Sequence, residues 1–264
     1  MPIAVIGGTG FYKLLENTVP LQLRNEYGSV ELMRGNYQGR EVIFLPRHGK
    51  NHEFLAHEIN YRANMKALQE LGITRILATC AVGSLNPEIQ AGDLVLIDQF
   101  VDFTSNRPKS FNKYSVDMSE PYCPQLRSCF LQAAKELDID VRDRGTYICG
   151  NGPRYETRAE IKLFQQWGMD VIGMTNATEA VMARELGFCY AVVTIATNMA
   201  PGITAAPPDL ATHRRVVQEN RARLTQLLLK TITLVPEERH CDCRASYERA
   251  LAARASQLKA GEGA

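Results

Sequence analysis

Residues able to bind anions, rings and sugars cluster where the apolar runs of this sequence end. Gly7-Gly8-Thr9-Gly10 follows the first such run. Glycines let successive backbone N–H groups turn toward one point, which makes an anion nest, and Thr9 adds a hydroxyl donor. The same residues also read as a plain tight turn after an edge strand. A dinucleotide fingerprint is excluded, because Lys13 stands where its third glycine belongs. Arg47-His48 closes the run Val42–Leu45. A guanidinium and an imidazole at a strand's C-terminal end can hold an oxyanion, the guanidinium by a two-pronged contact; the alternative is a surface pair. His52 and His57 follow at spacings that fit no metal pattern. Asn60 and Asn64, one helical turn apart, either line the same cleft or act as caps and exposed polar groups.

Thr79-Cys80-Ala81-Val82-Gly83-Ser84 leads from a strand into small residues that let a ligand approach backbone. It reads equally as a tight crossover. Cys80 has no His or Asn partner placed by sequence, so a nucleophilic role is not expected. The segment from Gly152 to Glu160 opens a helix. Tyr155 could stack on a heterocycle and Glu156 could accept from ring N–H groups; a capped helix start explains the same residues. Met174-Thr175 offers a soft thioether surface and a hydroxyl. Asn198 ends the most apolar strand with an amide that both donates and accepts.

Such residues need a frame. Runs rich in Val and Ile predict strands at Ile3–Ile6, Glu41–Leu45, Arg75–Thr79, Asp93–Asp98, Gly145–Ile148, Val171–Gly173 and Cys189–Ala196. Amphipathic stretches predict helices at Glu58–Leu71, Pro124–Leu137, Thr157–Trp167, Ala177–Leu186 and Ala211–Thr231. The alternation implies one α/β domain with a mixed central sheet flanked by helices, and short doublets near residues 20–45 imply some antiparallel pairing. Nearly every predicted strand ends in a polar or glycine-rich element, which is where open α/β sheets bind ligands. Two long loops, Val101–Cys123 and Asn198–Asp209 with Pro201, Pro207 and Pro208, read as functional.

Composition narrows the function classes. The 264 residues hold 30 basic and 29 acidic side chains, a formal charge of +1. No strong field exists to hold a nucleic acid or an anionic membrane, so an anion must meet a local site. The longest apolar runs, such as Tyr190–Ala196, are strand-sized, short of the roughly 20 residues a spanning helix needs. MPIAVIGGTG lacks a basic leader and is not expected to be a signal peptide. Seven cysteines, several in apolar runs, suit reduced thiols of a cytoplasmic protein. His240-Cys241-Asp242-Cys243 has metal-ligand types near a loose end; it reads as incidental, and no metal is expected.

Taken together, the motifs resemble the trimeric purine nucleoside phosphorylase and methylthioadenosine phosphorylase family. The likeness runs over residues 3–233. It rests on IGGTG at 6–10, RHG at 47–49, NYRAN at 60–64, AVGSL at 81–85, GDLVLIDQFVDFT at 92–104, EPYCP at 120–124, GPRYETRAE at 152–160 and GMT at 173–175. The SEPYCP segment and the RHG spacing look most like the methylthioadenosine branch. The resemblance implies a phosphorylase domain over 1–234 and a peripheral C-terminal helix or tail over 235–264. It implies phosphorolysis of a purine nucleoside, with no cofactor because phosphate is a co-substrate. Gly8, Thr9, Arg47, His48, Ala81 and Thr175 would hold phosphate. Cys80, Ala81, Val82, Gly83, Tyr155, Ile172 and Met174 would line the nucleoside pocket, with Met174 under the ribose. His48, Glu156 and Asn198 would be the catalytic set. A homotrimer is implied, in which a neighbour's loop, here around Ser105–Pro121, completes the pocket.

Two positions decide the base. Adenine-specific members of the family carry Asp in place of Asn198 and serines in place of Glu156-Thr157; 6-oxopurine enzymes use a Glu and an Asn. The Glu156 carboxylate can accept from N1–H of hypoxanthine or guanine, whereas adenine presents a bare N1. The Asn198 amide can donate to N7 or O6. A buried unpaired group costs about 1–3 kcal/mol, enough for tenfold discrimination. A 6-oxopurine nucleoside (inosine, guanosine or methylthioinosine) is therefore expected, with methylthioadenosine as the alternative and a non-catalytic nucleoside binder as the reading of another class. The 5′ side falls to Leu210 or His213, an apolar or a hydrogen-bonding choice. A histidine that a neighbour supplies in the methylthioadenosine branch is replaced by Ser115 or Val116. Thr178 stands where the family has proline and Cys80 where it has threonine.

Overall fold

The computed structural model describes every residue except Tyr12, Tyr114, 206–208 and 262–264, so Pro207 and Pro208 of the second long loop lie outside the described residues. The strands are β1 (Ile3–Gly7), β2 (Thr18–Asn25), β3 (Gly28–Tyr37), β4 (Arg40–Pro46), β5 (Arg75–Ser84), β6 (Leu94–Leu96), β7 (Gln99–Asp102), β8 (Thr146–Cys149), β9 (Val171–Gly173) and β10 (Cys189–Met199). The helices are α1 (Tyr61–Glu70), α2 (Pro124–Glu136), α3 (Arg158–Gln166), α4 (Asn176–Glu185), α5 (Leu210–Leu234) and α6 (Cys243–Gly261). They build a single-domain α/β fold around one mixed sheet in the order β2-β3-β4-β1-β5-β9-β8-β7, with β10 on β5 and β6 on β10.

Every predicted strand and helix forms, with ends shifted by a few residues. The doublet near residues 20–45 is the antiparallel meander β2-β3-β4, in which Leu21 faces Leu32 and Met33 faces Phe44. One expectation is corrected. Strand β1 is no edge strand but lies parallel between β4 and β5, and all five of its residues are buried. An apolar run without polar alternation belongs to such a doubly covered strand.

The period of two sorts side chains onto two cores. Ala4 and Ile6 of β1, Ile76 and Ala78 of β5, and Val192 of β10 face one core with Met65 and Leu68 of α1 and Ala180 of α4. Ile3, Val5, Leu77, Val193 and Ile195 face the other with Phe130 of α2 and Leu224, Leu227 and Leu228 of α5. Helix α3 starts with a capping box, in which Thr157 Oγ1 accepts from Glu160 N–H at 3.1 Å and Glu160 accepts from Thr157 N–H at 2.7 Å. Because β4, β1, β5 and β10 run parallel, their C-terminal ends open on one side of the sheet.

The loop after β7 is tied to its own chain. Ser110 Oγ and Phe111 N–H both donate to Glu185, at 2.5 and 2.7 Å, and Arg107 is buried. Helix α6 packs through Cys243, Ser246 and Ala250, which are buried.

Candidate active site

The open strand ends enclose a cavity of about 1020 Å³. Every residue expected at the site lines it: Gly8, Thr9, Arg47, His48, Cys80, Ala81, Val82, Gly83, Tyr155, Glu156, Ile172, Met174, Thr175, Asn198, Leu210 and His213. Other readings resolve differently. Asn60 caps α1 by accepting from Ala63 N–H at 3.1 Å, and neither it nor Asn64 lines the cavity. Ser84 spends its hydroxyl on Asn86 O at 2.8 Å.

The anion half is built from β1, β4 and α4. The Gly8–Gly10 segment is a tight turn, closed by Phe11 N–H donating to Gly8 O at 3.0 Å, and it also forms cavity wall. Glycine is required at position 8, where a Cβ would stand 2.8 Å from both Arg47 Nη1 and Thr79 O. Arg47 is 2% exposed. Its Nε and Nη2 donate to both oxygens of Glu179, the Nη2 bond at 2.8 Å, and its Nη1 donates to Thr79 O at 2.8 Å. Three of the five guanidinium N–H groups are thus committed to Glu179 and Thr79. Tyr190 Oη also donates to Glu179, at 2.7 Å. Thr175 stands at the N-terminus of α4 with no side-chain capping bond, where a hydroxyl and the helix dipole are both able to meet an anion.

His48 is held in one tautomer. Its Nδ1 lies 2.9 Å from Phe54 O, and a carbonyl only accepts, so Nδ1 carries the proton. Burial, together with the charge of Arg47, pushes the His48 value from 6.5 down to about 3. The ring is neutral at physiological pH and Nε2 is a bare acceptor. It can therefore meet an anion only through a protonated oxygen, which refines the expected oxyanion contact. His52 stacks on it with ring centroids 4.4 Å apart. Burial raises the Cys80 thiol, which disfavours the thiolate, and its Sγ rests 3.5 Å from Thr175 Oγ1.

The ring half sits around Ile172. A Cβ on Gly83 would lie 3.2 Å from Ile172 and 3.5 Å from Asn198 Nδ2. One on Gly150 would lie 2.9 Å from Glu156 Oε1 and 3.9 Å from Ile172. Amide and carboxylate therefore flank the same apolar side chain. Burial raises the Glu156 carboxyl above the ordinary value. Strand β10 carries a register shift between Ala196 and Asn198, a bulge that re-aims the amide. Asn198 Nδ2 donates to Met199 O at 2.9 Å and its Oδ1 lies 2.9 Å from Thr197 Oγ1. One amide N–H remains for a ligand. Thr197 Oγ1 also lies 3.0 Å from His213 Nδ1, which links the helix α5 histidine to the amide.

Several contributors were not foreseen. Glu179 sits inside a helix, where a carboxylate reads as solvated. Arg107 donates to Met174 O at 2.7 Å and Asn151 O at 2.9 Å, and so fixes two cavity loops. Thr197 had only its neighbour to mark it. Lys50, Arg214 and Arg221 add positive charge to the lining.

Two measurements check this geometry. Glu179→Gln leaves Arg47 buried without its counter-charge and is expected to lower the unfolding free energy by about 3–5 kcal/mol, read in urea denaturation. His48, His52 and His213 all have lowered values, with burial the first cause. The unfolded chain then binds more protons below about pH 6.5, so stability is complete above that pH and falls as acid is added. The urea midpoint is expected to decline from pH 6.5 to pH 5, and His48→Gln to flatten that slope; an unchanged slope would contradict the buried neutral ring.

The sequence profile of the phosphorylase superfamily matches residues 2–233. A probable 6-oxopurine nucleoside phosphorylase of Dictyoglomus turgidum is 46% identical over 92% of this chain and 95% of its own length. The 6-oxopurine nucleoside phosphorylase of Pyrococcus furiosus is 45% identical over 92% and 96%. The S-methyl-5′-thioadenosine phosphorylase of the same organism is also 45% identical, over 91% and 95%. Among solved structures, methylthioadenosine phosphorylase from Schistosoma mansoni in complex with adenine superimposes with a TM-score of 0.89 at 28% identity, covering 94% of this chain and 98% of that one. With a profile match over residues 2–233 and relatives aligned over nearly its whole length, the chain belongs to the phosphorylase superfamily.

Proposed function

We propose that this protein is a pentosyltransferase that cleaves 6-oxopurine nucleosides by phosphorolysis, releasing the base and a pentose 1-phosphate. One observation carries the base assignment: Glu156 and Asn198 flank Ile172 in the cavity that also holds the anion set. The name of the Pyrococcus furiosus relative supports it.

Phosphate rests against the Gly8–Gly10 turn, Arg47 and Thr175, and its hydroxyl donates to His48 Nε2. Met174 underlies the sugar. The C1′–N9 bond stretches first. The positive sugar is then paired with phosphate, whose oxygen bonds to C1′ as the electron pair of the broken bond moves onto the purine. The free Asn198 N–H stabilises that charge at N7 or O6, Glu156 accepts from N1–H, and N9 takes its proton from solvent. Catalysis is positioning plus electrostatics, in a site whose dipoles stand in place beforehand. The 5′ group falls between Leu210 and His213. His213 is already held by Thr197, so its other nitrogen serves a 5′-hydroxyl, while Leu210 serves a methylthio group.

The reading extends to a cytoplasmic homotrimer. No helix among the described residues is long and apolar enough to cross a membrane, and the seven cysteines carry no disulfide. Phe103, Leu163 and Trp167 form an exposed apolar patch suited to a subunit contact, with Phe103 and Trp167 rings 6.1 Å apart. Cell fractionation and sedimentation check both points: recovery in the cytoplasmic fraction at three chains' mass is expected, and a monomer would overturn the assembly.

Incubation with phosphate and each of inosine, guanosine, adenosine, methylthioinosine and methylthioadenosine tests the activity through base release. Release from the 6-oxopurine compounds at least about tenfold faster is expected. Asn198→Asp is expected to cut kcat/KM for inosine by about tenfold or more while favouring adenine nucleosides. Faster release of adenine than hypoxanthine by the unaltered enzyme would overturn the base assignment, and no release from any compound would make this a binding protein.

A further inference from the structure

The C-terminal segment takes no part in this chemistry, yet its cysteines meet two others from distant parts of the chain. Cys123 stands at the N-cap of α2 and donates its backbone N–H to Tyr190 O at 2.8 Å. Cys189 begins β10 and is fixed by its N–H to Thr74 O at 3.0 Å. Cys241 and Cys243 bracket the start of α6. The four Sγ atoms all lie within 4.8 Å of one another, and those of Cys189 and Cys241 are 3.4 Å apart.

That spacing has a chemical meaning. A tetrahedral zinc ion with bonds of about 2.3 Å holds its sulfurs about 3.8 Å apart. A disulfide needs about 2.05 Å and joins sulfurs only in pairs. Four sulfurs converging on one point match the first arrangement. The surroundings match its charge as well, for a zinc tetrathiolate carries two negative charges. Arg75 is buried in electrostatic contact with Cys123, Cys189 and Cys241, and its Nε is buried without a hydrogen-bond partner. The N-termini of α2 and α6 favour thiolates on Cys123 and Cys243 in the same sense.

We propose that Cys123, Cys189, Cys241 and Cys243 form a structural zinc site that pins the C-terminal helix to the sheet. Zinc enters as the dication and four thiol protons leave to solvent. All-sulfur ligation selects zinc over magnesium or calcium, and four protein ligands leave no position open for catalysis. The site lies at one end of β10 and Asn198 at the other, nine residues or about 30 Å away. Cys241-x-Cys243, read from sequence as incidental, is half of this site; its other half is hidden in apolar runs.

Elemental analysis of the full-length, untagged protein, grown with zinc and purified under reducing conditions, tests the proposal. About one zinc per chain is expected. Cobalt exchanged into the protein is expected to give the absorption of a tetrahedral tetrathiolate. Displacement of the metal by a mercurial reagent is expected to lower Tm by several degrees and leave kcat/KM at 25 °C within about twofold. The double variant Cys241→Ser with Cys243→Ser is expected to bind less than about a tenth of a zinc. The unaltered protein decides the matter even if that variant does not fold. Folded protein with less than about a tenth of a zinc overturns the site, whether its four thiols react freely or its mass is lower by the hydrogens of two disulfides. Because these readouts are metal content and spectrum, they stand apart from the phosphorolysis assay.

Discussion

The buried ion pair of Arg47 and Glu179 holds the anion half of the molecule in place. It gathers four elements at one point: Arg47 just past β4, the Thr79 carbonyl on β5, Glu179 on α4 and the Tyr190 hydroxyl on β10. Taking two charges out of water costs several kcal/mol each, which only good geometry and further hydrogen bonds offset. Both carboxylate oxygens of Glu179 are engaged, and one of them also accepts from Tyr190. The pair leaves this corner of the cavity close to neutral. Uncompensated positive potential in the lining then comes from the α4 N-terminus and from Lys50, Arg214 and Arg221.

At the other half, small backbone irregularities take the place of charge. The bulge in β10 turns Asn198, and Thr197 and Met199 then lock its amide. A locked amide cannot rotate to present its other end without losing both bonds. Arg107 fixes Asn151 and Met174 in the same manner, so the segments on either side of Glu156 and Thr175 are anchored from within this chain.

Much of this was legible in the sequence because it lay at strand ends. The runs Ile3–Ile6, Arg75–Thr79 and Cys189–Ala196 are mostly apolar, so the polar residues that follow them mark the cavity directly. Other parts were not legible, for physical reasons. Glu179 lies four residues past Thr175 in a polar-looking stretch, and only the approach of Arg47 from a strand 132 positions earlier gives it meaning. Cys123 and Cys189 sit among apolar neighbours, where a thiol behaves as a small hydrophobe. Gly8–Gly10 forms the tight turn, and because that turn is also cavity wall it does not exclude the anion-nest reading. Strand β1 looked like an edge strand because its neighbours β4 and β5 come later in the chain.

The carbonyl of Phe54 has one more effect. By accepting from Nδ1 it fixes the tautomer of His48, while burial and the Arg47 charge keep the ring neutral through the range where an imidazole usually titrates. Both forms that inorganic phosphate takes near neutrality keep a hydroxyl, so a bare ring nitrogen can accept from either. The ring therefore presents one charge and one acceptor across the whole range in which such a reactant titrates.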